Sequence, residues 1–242
     1  MQLAFTLLDW HARAPGLSTT EQWLNWSALP ATIDAALPLA KCSQLPMMAA
    51  RRLNEGSRAA VDCGLELLHR HSVDAVVFTS RHGELERNLR ILTALAQQQT
   101  PSPTDFTMSV HNAAVGSLTI AAAAPLVATS LSAGIDSFQQ GLVEVAALHA
   151  AGYQQVMLVD FDGAIPAVYR PHVSDQTLHA PYAVALLLAA GDHCSCYGQP
   201  LSSPRWAALP QSLQFLHARL AGQKRFCVTG ERVSWQWECR DE

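Results

Sequence analysis

Ser109–Gly163, SVHNAAVGSLTIAAAAPLVATSLSAGIDSFQQGLVEVAALHAAGYQQVMLVDFDG, is the stretch whose reading decides the fold. Val110 to Ala122 is rich in Ala and Leu, has no internal proline, and reads as a buried helix. Pro125 ends it, and Leu126–Ser132 (LVATSLS) is a short apolar, β-branched run of the kind a fully buried strand carries. Ala133-Gly134 supplies a bend, and Asp136 or Ser137 is placed to cap the next helix. Phe138, Leu142, Val145, Ala146 and His149 recur at helical spacing, with Gly152 as the stop. Val156–Val159 returns as a strand. Two buried strands around a small-residue helix predict a βαβ-like unit in a mixed or parallel sheet covered on both faces.

This order of residues resembles the N-terminal half of β-ketoacyl synthases, enzymes of the thiolase-like fold. In them N-x-x-x-G-x-L-(T/S)-I leads through a dimer-forming strand to a T-A-C-(S/T)-S-G turn, a Gly-terminated helix and an apolar strand. Asn112, Gly116, Leu118, Thr119 and Ile120 stand in that order here, followed at matching distances by Leu126–Ser132, the helix ending at Gly152, and VMLV. The resemblance reaches upstream to Arg51-Arg52-Leu53 and to Val76–Ser80 feeding a Gly83 loop, and covers about residues 45–190. It is closest to shortened ketosynthase-like proteins found beside aryl-polyene-type gene sets, in which S-V-H-N-A and L-S-A-G-x-D-S-F are typical.

The departures from the enzymes are as informative as the matches. A ketosynthase needs a cysteine at the start of the second helix, where backbone N–H groups and the helix dipole favour a thiolate. Counting back from Gly152, that position falls on Ile135, or on Gly134 with one gap, and neither side chain can carry a thioester. The cysteines are Cys42, Cys63, Cys194, Cys196, Cys227 and Cys239, all outside this turn. The G-T-x-T, K-S-x-x-G-H and N-F-G-F-G-G motifs, which bring the enzymes' other catalytic groups, are absent, and Lys41 and Lys224 are the only lysines. The sequence therefore offers none of the catalytic residues of a ketosynthase.

With 242 residues the chain can bury a full core. A net charge of −4 with two lysines argues against a nucleic-acid partner. No apolar run reaches membrane-spanning length, and MQLAFTLLDWHARAPG lacks a signal-peptide pattern. The expectation is a cytoplasmic protein without membrane contact, its cysteines mostly reduced.

In chain order, Leu3–Leu8 reads as the first strand, and Trp23 and Trp26 as a packing pair on a short helix rather than a ligand stack. Residues 28–46 form an irregular connection, and Met47-Met48 opens a helix running to about Arg70. Arg51 and Arg52 suit either a solvated face or an acidic partner. Ser72–Thr79 is a core strand, and a helix runs from Glu84 to about Ala96. By the resemblance, Arg81, His82 and Leu85 touch or plug a partner's acyl tunnel; taken alone, they are a strand-to-helix turn with polar surface residues. Phe106, Met108, Ser109 and Asn112 match, by the same resemblance, the segment lining the channel near the two-fold axis. His111 reads as a satisfied buried histidine.

Two motifs compete with this reading. Asp160-Phe161-Asp162-Gly163 after an apolar strand is how metal-dependent phosphatases present a nucleophile and an acid around Mg²⁺, but that chemistry also needs a downstream lysine and a further acidic pair at a strand end, which favours an ordinary strand-end turn. Asp192–Cys196 has metal-ligand residue types without a second ligand pair, which favours a loop with reduced thiols and no metal. Tyr169–Leu178 is a polar loop, Pro181–Ala190 a buried strand or short helix, and Pro200–Pro210 a linker. Gln211–Leu220 is an amphipathic helix, and Phe226–Thr229 with Val233–Trp237 a hairpin.

The expected fold is therefore α/β and thiolase-like, truncated to one ketosynthase-type half in a single domain, with a core over 1–190 and a cap over 191–242. The resemblance implies a non-catalytic, chain-length-factor-type subunit that heterodimerises with an active β-ketoacyl-ACP synthase in aryl polyene biosynthesis. It would meet acyl carrier protein indirectly and use no cofactor. Leu126, Val127, Ala128, Thr129, Ser130, Leu131 and Ser132 would form the dimer strand. An independent thiolase-fold acyltransferase, or a phosphatase using Asp160 and Asp162, is the alternative.

Overall fold

The computed structural model describes residues 2–173, 178–203 and 207–240. In chain order its elements are β1 (Gln2–Arg13), α1 (Thr20–Ser27), α2 (Met47–Ala50), α3 (Glu55–Arg70), β2 (Ala75–Thr79), α4 (Leu85–Ala96), α5 (Pro103–Thr107), α6 (Ala113–Ala122), β3 (Val127–Leu131), α7 (Ser137–Ala150), β4 (Gln155–Asp162), β5 (Tyr182–Pro200), α8 (Gln211–Leu220), β6 (Arg225–Thr229) and β7 (Val233–Cys239). The centres of the Tyr169–Leu178 loop and of the Pro200–Pro210 linker lie outside the described residues.

One mixed sheet runs β3-β2-β4-β5-β7-β6, with β1 also paired to β5. β2 is parallel to β3 and β4, as two helical crossovers require, whereas β4–β5, β5–β7, β6–β7 and β1–β5 are antiparallel. β1 follows one edge of β5 from Ala183 to Tyr197; β4 takes the other edge up to Ala189, and β7 takes over from Cys194.

Side-chain alternation sorts the sheet into two cores. Ala75, Val77, Val156, Leu158, Val184 and Leu186 face Phe138 and Leu142 of α7, Leu213 of α8, and Trp23 and Trp26 of α1. Val76, Phe78, Met157, Val159, Phe161 and Leu187 face Val61 and Leu65 of α3 and Leu118 of α6. Trp23 and Trp26 pack edge to face at 5.1 Å, and their indole N–H groups donate to the carbonyls of Ala12 and Thr32.

Several expectations need correction. The helix expected over Met47–Arg70 is two helices, parted at residues 51–54 where Leu53 is buried and the Arg52 carbonyl is drawn into a side-chain hydrogen bond. Asp136 does not cap α7: its carboxylate accepts from Gln211 of α8 instead. The strand expected to be fully buried, β3, is an edge strand with Val127 44% exposed. Asp192–Cys196 is not a loop but the middle of β5, and Cys194 is disulfide-bonded to Cys239, directly opposite on β7. Cys42, Cys63, Cys196 and Cys227 are free thiols. The boundary expected at residue 190 falls inside β5, so the last strands extend the same sheet.

The irregular connection over 28–46 is fastened by one buried carboxylate. Asp62 of α3 accepts from the backbone N–H groups of Ser43 and Gln44, both at 2.8 Å, and from the Cys42 thiol at 3.0 Å. It also pairs with Arg13 of β1 at 3.1 Å. Asp62→Ala leaves Arg13 and two amides without their acceptor in a buried setting, so the chain should lose about 3–5 kcal/mol of stability. Urea unfolding followed by circular dichroism measures this, and a loss below about 1 kcal/mol would contradict the assignment.

Candidate functional site

The turn between β3 and α7 is the position at which the sequence places a nucleophile in the enzymes it resembles. Gly134 there has φ +61°, the left-handed region that side-chain-bearing residues rarely adopt, and it opens a single 3₁₀ turn to Asp136. Ile135 is half-buried and, with Phe138, Ile165, Leu209 and Pro210, borders a cavity of about 60 Å³. Ser137 begins α7 buried, but its hydroxyl donates to the Gly134 carbonyl at 2.7 Å and accepts from the Ala133 N–H at 3.0 Å. The cap presses on this turn from outside. Gln211 donates to Asp136 at 2.8 Å and accepts from the Gln139 N–H at 3.3 Å, and Gly230 lies against the Asp136 carboxylate.

Asp160 and Asp162 leave β4 on the same face as the cavity, two residues apart and both buried. Asp160 accepts from Thr79 at 2.6 Å, Tyr182 at 3.0 Å and Ser212 at 2.6 Å, which ties together β2, β4, β5 and α8. Asp162 accepts from the Ser80 hydroxyl at 2.6 Å and the His82 N–H at 2.8 Å, fixing the turn after β2. Gly56 of α3 abuts the Asp162–Gly163 backbone so closely that a Cβ would sit 2.5 Å from it. Burial raises both carboxyls to about 6, against the pull of their hydroxyl and amide donors. A metal phosphatase needs these oxygens free for an ion; here protein donors hold them. No group of three or more metal-ligating side chains occurs among the described residues.

The proposed gate residues fall into two groups. Arg81 and His82 line the elbow cavity, and burial, aided by Arg81 and His179, lowers the His82 imidazole to about 4, so it is neutral at pH 7. Leu85 begins α4 behind them. Phe106, Met108, Ser109 and Asn112 do not line that cavity. Phe106 is 69% exposed, Met108 packs on the α3–α6 core, the Ser109 hydroxyl donates to the Phe106 carbonyl, and Asn112 precedes α6. His111 spans the two groups: Nδ1 meets Ser130 of β3 at 2.7 Å, and Nε2 meets the Ser80 carbonyl at 3.1 Å. Leu126–Ser132 lies along the open rim of the sheet, and Ile120 of α6 beside it is 82% exposed.

Sequence reading missed Tyr182, Ser212, Glu84 and Arg87. Tyr182 and Ser212 carry no local pattern, while Glu84 and Arg87 are a buried i,i+3 ion pair at 3.3 Å that resembles any solvated helix pair in sequence. Arg51 and Arg52 rim a cleft of about 800 Å³ shared with Arg58, Arg90 and Arg170.

A family model described as the β-ketoacyl synthase N-terminal domain matches residues 23–238. A chain of the Xenorhabdus doucetiae complex of the ketosynthase ApeO with its chain length factor ApeC is 58% identical to this one. The alignment covers 98% of this chain and 99% of that one, with a TM-score of 0.95. The ishigamide ketosynthase/chain length factor aligns over 99% of both chains with a TM-score of 0.75 at 10% identity. A β-ketoacyl synthase from Burkholderia phymatum STM815 aligns over 92% of this chain and 71% of its own, with a TM-score of 0.57 at 14% identity. The last two share the fold only. No curated protein matches.

The two aspartates have a pH signature. Because the folded chain holds their protons more tightly than the unfolded chain, their contribution to stability is full below the unfolded carboxylate range and is lost as pH rises through about 6. Asp160→Asn should therefore flatten the fall in thermal midpoint between about pH 4 and about pH 6. Calorimetry across that range tests it, and an unchanged slope would contradict the burial-driven shift.

Proposed function

This chain belongs to the β-ketoacyl synthase family through its N-terminal domain, and from that premise we propose that it is the non-catalytic, chain-length-factor-type subunit of a ketosynthase in aryl polyene biosynthesis. One observation carries the reading. The chain matches, nearly end to end at 58% identity, a chain from a ketosynthase–chain length factor complex, yet its elbow holds Gly134 and Ile135 where a synthase needs cysteine. Of the two subunits in such a pair, the one without a nucleophile shapes the reaction and the other performs it.

The interface reading rests on a disagreement within the chain. The sequence of α6 and Leu126–Ser132 has the composition of interior segments, but this subunit by itself leaves Ile120 and Val127 in solvent and one edge of β3 unpaired. An apolar edge strand of this kind is completed by a counterpart. We take the counterpart to be the dimer strand of an active synthase, pairing antiparallel across a pseudo-two-fold axis. Arg81, His82, Leu85, Phe106, Met108, Ser109 and Asn112 then close the far end of its acyl tunnel. Residues 191–242 stand in for a synthase's second repeat by covering the elbow with α8 and the hairpin turn. Carrier protein engages the complex through the synthase, the reaction draws on no cofactor in this subunit, and the complex works in the cytoplasm. No described helix is long and apolar enough to cross a membrane.

Ile120→Glu tests the interface. At a site so exposed it should change the stability of this chain by no more than about 0.5 kcal/mol. It should nevertheless abolish copurification with a co-expressed ketosynthase, since an unpaired carboxylate would be buried in the interface. Retained copurification would sink this placement. Condensation by the purified subunit alone, or an acyl adduct on it, would sink the non-catalytic reading.

A further inference from the structure

Arg87 is a cation with its side chain only 5% exposed, held between three segments far apart in sequence. Its Nε donates to Glu84 at 3.3 Å, at the end of the loop carrying Arg81 and His82, and Glu84 in turn accepts from Ser57 of α3. One terminal nitrogen donates to Asp105 of α5 at 2.7 Å, and the other to the Arg52 carbonyl before α3, also at 2.7 Å. Asp105 takes a second cation, Arg90, at 2.9 Å. Helix α5 has only five residues and none of them is buried, so its Ser102 cap and few internal hydrogen bonds hold its shape but not its place against α4. The pairing of Asp105 with buried Arg87, backed by exposed Arg90, supplies that constraint, directly beside Phe106.

We propose that Arg87, acting through Asp105, is the positioning residue that sets where exposed Phe106 stands, and through it the length at which the product stops; this rests on the chain-length reading above. Neither residue touches product. Loss of the pair lets α5 drift outward while the fold, held by the two cores, remains.

The test uses the co-expressed complex with the synthase. Because Arg87→Met risks misfolding by leaving Glu84 buried without its cation, the decisive variant is Asp105→Asn, which keeps the Glu84 and Arg52 contacts. Amide exchange over residues 103–109 should become about tenfold faster, with α3 unchanged. Mass spectrometry of carrier-bound products should show a length distribution shifted in the same direction as in Phe106→Ala. Asp105→Glu should restore both, which general destabilisation would not do. Unchanged exchange overturns the positioning role. Faster exchange with unaltered products, while Phe106→Ala does alter them, overturns the link to length and leaves the chain-length reading standing. Unaltered products in Phe106→Ala as well overturn the placement of the tunnel and this proposal with it.

Discussion

Everything in this molecule is hung on β5. A strand of 19 residues has room for two neighbours along one edge, and here β4 and β7 share that edge in succession while β1 occupies the other. The parallel layer and the C-terminal hairpin therefore belong to one hydrogen-bonded sheet. Shape follows from that constraint. α8, which enters between β5 and β6, has little choice but to lie over the elbow, because the hairpin that follows must return to the same strand.

At the elbow and the strand beside it, the polar groups are engaged by the protein itself. Gly134 and Ile135 lead into the start of α7, and no cysteine stands in this turn. The nearby carboxylates, which could have served as acid or nucleophile, are engaged by Thr79, Tyr182, Ser212 and Ser80. Burying two acids is costly, and the raised affinity for protons shows it. Their return is geometric: each fixes the end of one strand to elements that sequence separates by more than 50 residues.

Most of the central unit was legible because its signals are local. Periodicity, a proline after α6 and a glycine after α7 each report on a few neighbouring residues, and β3, α7 and β4 fall where those signals put them. Composition misled at β3, which has an interior sequence but an edge position in the sheet. It failed also where strand length mattered. Gly191-Asp192-His193 end the apolar run, so β5 appears to stop at residue 190, although pairing to β1 and β7 carries it on to Pro200. That Gly134 and Ile135 stand in the turn without a cysteine is read directly from the sequence, whereas the hydrogen-bond network around that turn is not. Arg87, Asp62 and Asp160 act on partners more than 15 residues away, and no window of sequence contains both ends of such a bond.

The unpaired rim of β3 bears on how a cell must make this protein. Backbone donors and acceptors flanked by Val127 and Ile120 will bond to whatever compatible strand arrives first, including the same rim on a sister molecule. On the proposed β3 interface, a surplus of this chain over the synthase would leave that rim open to self-association, so balanced synthesis of the two polypeptides would protect it.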